Sequence, residues 1–476
     1  MNSNRNTSDG NNDYDLVVIG SGSASFAAAI AASRSGLSVA MIEKSKVGGT
    51  CVNFGCIPSK ALLAAAKQRW LALESKFPGI ATRASDPDIS ALVNGKEEIV
   101  DSLQFEKYTS LATTYGFEIL YGTAEFAPGP TVTVGDKTIT ASHYLVATGA
   151  STFIPPIPGL EEAGYLTSAT AIEIEQLPNS LVVIGGNAIG LEMAQLFSDL
   201  GSKVTVIEAL ERIAPFEEPE ISEELQDIFE QRGVSVITSA TISSIKRQPL
   251  LKSLTLKQSD GQTLTITTEE ILVATGRRPN TSGLGLESVG VAIGAKGEVI
   301  VDEHLRSANP RIWAAGDVTG TAQFVYVAGL QGKTVVENAF FNSERTINYS
   351  AMPRVTFTSP AIASVGLTDQ QAQEAGFDCD CRVLPLSQVP RAIVERDTRG
   401  LVKIVAEAKT NKILGIHILA EGAGEVILAG VYALEAGFTV QKLADTWCPY
   451  LTMGEAIKLA AQSFTRDISE LSCCAS

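Results

Sequence analysis

The chain has 476 residues, of which 45% are hydrophobic, and carries a formal net charge of −16. That length exceeds what one hydrophobic core organises comfortably, so two or three domains are expected. The acidic balance argues against nucleic acid and against anionic membrane surfaces, both of which attract basic faces, and no run reaches the ~18 apolar residues of a membrane span.

Residues 1–13 are polar and rich in Asn and Ser, without the apolar centre of a signal peptide. They read as a disordered lead-in to a cytoplasmic protein. In a reducing compartment the seven cysteines (Cys51, Cys56, Cys379, Cys381, Cys448, Cys473, Cys474) point to redox or metal chemistry before structural disulfides.

From Asp13 the segment DYDLVVIGSGSASFAAAIAASRSGLSVAMIEK alternates strand, Gly-rich turn, Ala-rich helix and strand, a βαβ unit of about thirty residues. Gly20 permits the tight turn, Gly22 lets a pyrophosphate approach the helix N-terminus, and Ser25 is a small residue at the third position. Glu43 ends the second strand, where a carboxylate accepts hydrogen bonds from a ribose. Next comes GGTCVNFGCIPSKALL, with Cys51 and Cys56 four residues apart, Gly55 giving the backbone freedom for a small disulfide ring, and Pro58 where a helix begins. Thiolates beside a helix N-terminus are stabilised by its amides and dipole.

HYLVATGA, containing Thr148 and Gly149, reads as a buried strand leaving its domain, and FIPPIPG marks a crossing to another. At Ser180 the βαβ layout returns, with Gly185 and Gly190 flanking Asn187 where the close-approach glycine belongs. Asn tolerates left-handed backbone angles, although its side chain crowds a pyrophosphate. The second strand of this unit ends VTVIEALER and sets Glu208 at a ribose. A carboxylate there accepts from a 2′-hydroxyl and repels a 2′-phosphate, so NADH should serve at least as well as NADPH, with Arg212 the nearby residue able to reverse this. EILVATGRRPN, containing Gly276, repeats the exit strand, and RIWAAGDVTG, containing Asp317, returns the chain to the first domain. After about Arg345 strands and late helices suggest a third domain. Within it, Cys379 and Cys381 alternate on one face of a strand; incidental metal binding is the other reading.

The motifs GSGSAS, GGTCVNFGCIPSK, VATGA, the second Gly-rich unit, VATGRRPN and AAGD together resemble the pyridine nucleotide-disulfide oxidoreductases over nearly the whole chain. The resemblance implies an α/β fold with two Rossmann-like dinucleotide-binding domains plus an α+β C-terminal dimerisation domain. Its layout is an FAD-binding domain over 14–150 and 280–345, an NAD(P)H-binding domain over 151–279, and a dimerisation domain over 346–476. It implies FAD at Gly20, Gly22, Ser25, Glu43, Gly49, Thr50, Thr148, Gly149 and Asp317, and NADPH or NADH at Gly185, Gly190, Glu208 and Gly276. Cys56 would face the flavin, Cys51 would be the outer exchanging thiol, and Lys60 would sit beside the flavin, ion-paired with Glu192.

Disulfide-reducing relatives carry a His-Pro-Thr segment near the C-terminus, whereas this chain reads TWCPYLTMGEA, with Cys448 at the His position and Tyr450 after the proline. His143 and His417 lie in apolar strands and His304 in a turn, so a general base tuned for dithiols looks absent. Cys448 reads as a filler of the His space or as an extra thiol. The last residues, SELSCCAS, place Cys473 and Cys474 on a polar tail. Adjacent Cα atoms lie about 3.8 Å apart, below the ~4.4 Å at which disulfides begin, so two soft thiols on a mobile arm suit capture of a soft metal ion. This ending resembles the mercury-reducing members of the family. The resemblance implies a homodimer with a shared active site, in which Cys473 and Cys474 take Hg(II) from a small-thiol complex. They would pass it to Cys51 and Cys56 of the other subunit, with Tyr450 lining the inner site. Reduction of lipoamide, another low-molecular-weight disulfide or a quinone stays open, as does a flavoprotein that only sequesters metal.

Overall fold

A computed structural model describes residues 12–470. Its chain divides into two compact units, one formed by residues up to Ala61 with Val93–Phe153 and Gly276–Ile347, the other by Leu62–Leu92, Ile154–Thr275 and the chain from Asn348.

The first unit is built on a five-stranded sheet in the order Ile312–Ala314, Ala141–Val146, Tyr14–Ile19, Val39–Glu43, Glu118–Tyr121, every pair parallel. Parallel sheets need both faces covered, and the strand Tyr14–Ile19 accordingly carries a continuous apolar run rather than an alternating one. Leu16 and Val18 enter one core cluster, Val17 and Ile19 the other, and all four are at most 3% exposed. On the first face, helices Ser23–Arg34 and Val325–Phe341 pack closely because their contact is lined by small residues: a Cβ at Gly332 would collide with the Ala24 carbonyl. The other face carries a three-stranded meander, Ala124–Ala127, Thr131–Val134 and Lys137–Ile139. Asp13, counted with the lead-in on sequence grounds, is already tied to this unit, since its carboxylate accepts from the Thr140 N–H at 2.9 Å.

The second unit holds two larger sheets. One is parallel, in the order Ser235–Ile237, Lys203–Ile207, Ser180–Ile184, Glu270–Val273, Leu166–Thr167. Helices Ala188–Leu200 and Pro219–Gln231 cover one face of it, and the meander Ala240–Arg247, Lys252–Gln258, Thr263–Thr268 packs on the other. The second sheet is antiparallel, ordered Pro353–Thr356, Ala361–Gly366, Ile413–Ala420, Leu401–Glu407, Cys379–Pro385, with helices Ala423–Glu435 and Glu455–Gln462 sharing its core. Residues 62–92 group here because Leu62, Leu63 and Ala66 are buried in the core of the parallel sheet. The stretches read as separate nucleotide and dimerisation domains thus keep their own sheets and cores within one contact unit. Buried polar links join them: the Gln195 side chain accepts from Ser359 N–H at 2.6 Å, and Lys403 Nζ donates to Glu218 at 2.9 Å.

Candidate active site

In the first unit the turn after Tyr14–Ile19 has the form a dinucleotide needs. Gly20 sits at φ +103°, and a Cβ there would collide with the Ala147 carbonyl. Gly22 caps helix Ser23–Arg34 with an extended backbone and no side-chain cap, and nothing lies within 4 Å of where its Cβ would stand. Open ground therefore borders the uncapped amides of the first turn, where a phosphate would be favoured. Ser25 is fully buried and its hydroxyl has no protein partner. Glu43, 8% exposed, accepts from Ser21 Oγ at 2.6 Å and from Ser45 N–H at 2.7 Å, which fixes its carboxylate at the end of the second strand with acceptor capacity left over. These residues fit the phosphates and ribose of a dinucleotide.

Thr148, Gly149 and Asp317 come together in the same unit. Thr148 Oγ1 donates to the Asn280 carbonyl at 2.7 Å, and Asn280 N–H donates to that of Gly149 at 2.9 Å. Burial raises the Asp317 carboxyl above its ordinary range, against the pull of Arg277 at 3.7 Å. A dinucleotide there would meet a carboxylate already short of water.

The dithiol loop lies against the Gly22 turn. A Cβ on Gly49 would stand 2.6 Å from Gly22 Cα, and the Gly48 N–H donates to Ser21 Oγ at 3.1 Å. Thr50 and Cys51 belong to the short helix Gly49–Asn53, and Cys56 opens helix Cys56–Leu73. Asn53 locks the loop by donating to the Val47 and Gly49 carbonyls at 3.0 and 2.9 Å. Cys51 is half-buried and Cys56 exposed. The Cys51 thiol is pushed well above its ordinary range, first by a hydrogen bond with Cys56, then by burial and the Cys56 charge, with Lys60 opposing. Cys56, at the N-terminus of an 18-residue helix, is the better placed to be the thiolate while Cys51 keeps the proton.

Tyr108 belongs to this neighbourhood and had no signature in the sequence. It lies on a π-helical turn, Phe105–Thr109, hydrogen-bonds Ser23 and packs edge-on against Phe26 at 4.9 Å; burial first, and then the nearby Cys51 and Cys56 charges, raise its phenol. A π-turn arises from one residue too many in a helix, which apolar periodicity does not reveal.

In the second unit Gly185 takes φ +108° against the Ala274 carbonyl, and a Cβ on Gly190 would collide with the Gly185 carbonyl. Asn187 caps helix Ala188–Leu200 at φ −108°, an extended backbone open to any residue, so its tolerance of left-handed angles is not called upon. Its side chain remains a difference from Gly22. Gly276, where the chain re-enters the first unit, takes φ +107°. Glu208 accepts from the Gly186 and Leu210 N–H groups at 2.7 and 2.9 Å. Arg212 donates to the Pro215 and Glu217 carbonyls at 2.9 and 3.0 Å, which commits its guanidinium to its own turn. Glu192 is buried and accepts from the Phe357 N–H at 2.9 Å.

Near the C-terminus Trp447 is 97% exposed and Tyr450 51%. Cys448 is half-buried, its thiol raised by burial and by Glu455. Cys473 and Cys474 lie outside the described residues. The histidines have structural surroundings. His143 accepts from Trp313 Nε1 at 3.3 Å, His304 lies 3.4 Å from Glu344, and His417 is fully buried, 2.9 Å from the Leu367 carbonyl.

Two nucleotide-type turns, with a paired dithiol packed against the first, define a nucleotide-dependent dithiol oxidoreductase. Residues 14–332 match the Pyridine nucleotide-disulphide oxidoreductase family and 352–461 match its dimerisation domain. The chain belongs to this family. It is 54% identical over 470 residues to the mercuric reductase of Streptomyces lividans, covering 97% of this chain and 98% of that one. It is 46% identical to that of Bacillus cereus, covering 98% and 74%. Among solved structures, the Cu(II) complex of the HOCl-induced flavoprotein disulfide reductase RclA from Escherichia coli superposes with TM-score 0.86 at 31% identity, over 96% of this chain and 100% of that chain. LpdA from Mycobacterium tuberculosis superposes at 0.85 with 27% identity, over 95% and 100%. Among the described residues no helix is long and apolar enough to cross a membrane.

Proposed function

We propose that this chain reduces Hg(II) to elemental mercury at the Cys51–Cys56 pair, with NAD(P)H as electron donor and FAD as resident cofactor. The hydrogen-bonded dithiol packed on the Gly22 turn carries the reading, and the mercuric reductases to which the chain is similar over nearly its whole length support it. FAD supplies two-electron transfer between nicotinamide and dithiol when bound, and Gly20, Gly22, Ser25, Glu43, Gly49, Thr50, Thr148, Gly149 and Asp317 would hold it. Gly185, Gly190, Glu208 and Gly276 would hold the pyridine nucleotide.

The ion arrives bound to two small thiols. Cys51, the outer thiol, and Cys56 each form an Hg–S bond while the two small thiolates leave, and the Cys51 proton passes to one of them. Lys60 offsets the negative charge of the pair. Both Hg–S bonds then break as mercury takes up the two electrons that NAD(P)H would supply through bound FAD, and the proton of the same hydride returns to the pair, which is left as thiolate and thiol. Cys473 and Cys474 of one subunit relay the ion to Cys51 and Cys56 of the other, with Tyr450 beside the inner site. The dimerisation domain supports a homodimer, and a tryptophan as exposed as Trp447 suits a face that a second copy covers.

Parallel assays of NAD(P)H oxidation with Hg(II) presented as its cysteine complex and with lipoamide test this proposal. Oxidation that requires Hg(II) and releases volatile mercury is expected. Oxidation with lipoamide alone, or stoichiometric binding without volatilisation, overturns it.

A further inference from the structure

Cys379 and Cys381 take no part in the chemistry above. They lie on the strand Cys379–Pro385, the outermost of the antiparallel sheet, whose neighbour is Leu401–Glu407. Residues two apart on a strand share a face, with Cα atoms about 6.6 Å apart. Asp380 and Arg382 pair with each other on the other face. Cys379 Sγ lies 3.8 Å from the Phe377 carbonyl, and both thiols are near enough to Asp369 for its carboxylate to raise them. Asp369 is itself fixed at the start of helix Asp369–Glu374, its N–H donating to Glu218 Oε1 at 2.7 Å and its Oδ1 accepting from Gln373 at 2.9 Å. Both cysteines are half-exposed, so an ion can reach them from solvent.

We propose that Cys379 and Cys381 form a second soft-metal site, one that takes a two-coordinate thiophilic cation such as Hg(II) as a dithiolate chelate. Metal–thiolate bonds of about 2.3 Å, the length known for zinc, set two sulfurs in a line about 4.6 Å apart, which side chains on Cα atoms with this spacing can span. Among the described residues no group of three or more His, Cys, Asp or Glu is arranged to hold a metal ion. That suits an ion content with two sulfurs and disfavours tetrahedral zinc.

The charges facing the pair are Asp369, Asp378 and Glu218 on one side of the balance and Lys403 on the other. Burial first and Asp369 next push the Cys381 thiol up to about 12, and the same two causes raise Cys379. Uptake therefore runs by exchange from a thiol complex. Two bonds from mercury to the small thiolates break and two to Cys379 and Cys381 form. Their protons leave on the departing thiols, and nothing is oxidised or reduced. The site needs no nucleotide, flavin or turnover, so it stands or falls apart from the proposed reduction.

The test uses the full-length holoenzyme with Cys51, Cys56, Cys448, Cys473 and Cys474 replaced by serine, loaded with the bis-cysteine complex of Hg(II) and desalted. About one equivalent of mercury per protomer should stay bound, with two thiols lost to a thiol reagent. Adding Cys379→Ser and Cys381→Ser should abolish both. Asp369→Asn, which removes the nearest anion, should shift uptake to lower pH. Should the multiply substituted protein not fold, Cys379→Ser/Cys381→Ser in the otherwise native chain should retain one mercury fewer than the parent. Equal retention with and without the two cysteines overturns the site, and retention of Zn(II) in place of Hg(II) overturns its two-coordinate character.

Discussion

Replacing Glu208 with glutamine removes one charge from the turn proposed to hold the pyridine nucleotide while keeping a side-chain oxygen able to accept one of its two backbone hydrogen bonds. The carboxylate is 8% exposed and fixed by the Gly186 and Leu210 amides, so it neither swings away nor is well screened by salt. A 2′-phosphate about 5.5 Å from it would meet repulsion of about 3 kcal/mol per unit charge at an effective dielectric constant of about 20. Arg212 does not offset this, because its guanidinium is engaged with the Pro215 and Glu217 carbonyls. Native enzyme should therefore use NADH at least as well as NADPH. Glu208→Gln should raise the NADPH/NADH ratio of kcat/KM by about 10- to 100-fold, the range that 1.4 to 3 kcal/mol allows. NADH itself should lose about 1 kcal/mol with the hydrogen bond the amide cannot make. Steady-state kinetics with both nucleotides at fixed ionic strength decides the matter. A strong NADPH preference in the native enzyme, or an unchanged ratio in the variant, refutes the reasoning.

Arg232→Leu should destabilise the fold by about 3–5 kcal/mol, because it strands the buried Asp199 carboxylate. Arg232 lies 2.5 Å from Asp199, donates to the Ser359 carbonyl at 2.6 Å and stacks on Trp70 at 4.1 Å. Burial already raises Asp199 to about 6 despite that partner. A raised carboxyl contributes stability that is full below about pH 4 and lost as pH rises through about 6, so urea unfolding should find the variant's deficit larger at pH 8 than at pH 5. Gly22→Val should leave the unfolding temperature nearly unchanged, since space is open there, yet lower the flavin retained through gel filtration; full flavin content contradicts the placement. Cys448→Ala should leave mercury turnover unchanged if the residue only fills the place of a histidine, and a large fall would put its sulfur on the ion's route.

The strands and turns around both nucleotide sites were legible because their physics is local. An apolar run ending in glycine, a small-residue helix and a terminal acid each follow from adjacent residues; Gly20 and Gly185 turn the chain at positive φ, and Glu43 ends its strand held by Ser21. The spacing of Cys51 and Cys56 announced a dithiol, although not which sulfur keeps the proton, since that depends on burial and on their mutual hydrogen bond. Tyr108 was invisible because it reaches the dithiol from a distant π-turn. Asp369 beside Cys379 and Cys381 was equally so, since no sequence pattern records which helix approaches a strand edge. The grouping of residues 62–92 with the second unit likewise arises from packing of Leu62, Leu63 and Ala66 alone.

Mercury vapour released per NAD(P)H consumed, measured for the native enzyme and for Cys56→Ala, goes most directly to the dithiol. One atom of mercury for each nucleotide oxidised in the native enzyme, and loss of vapour in a variant that still binds flavin, is the outcome the account predicts. Vapour released at the native rate without the Cys56 sulfur would contradict it.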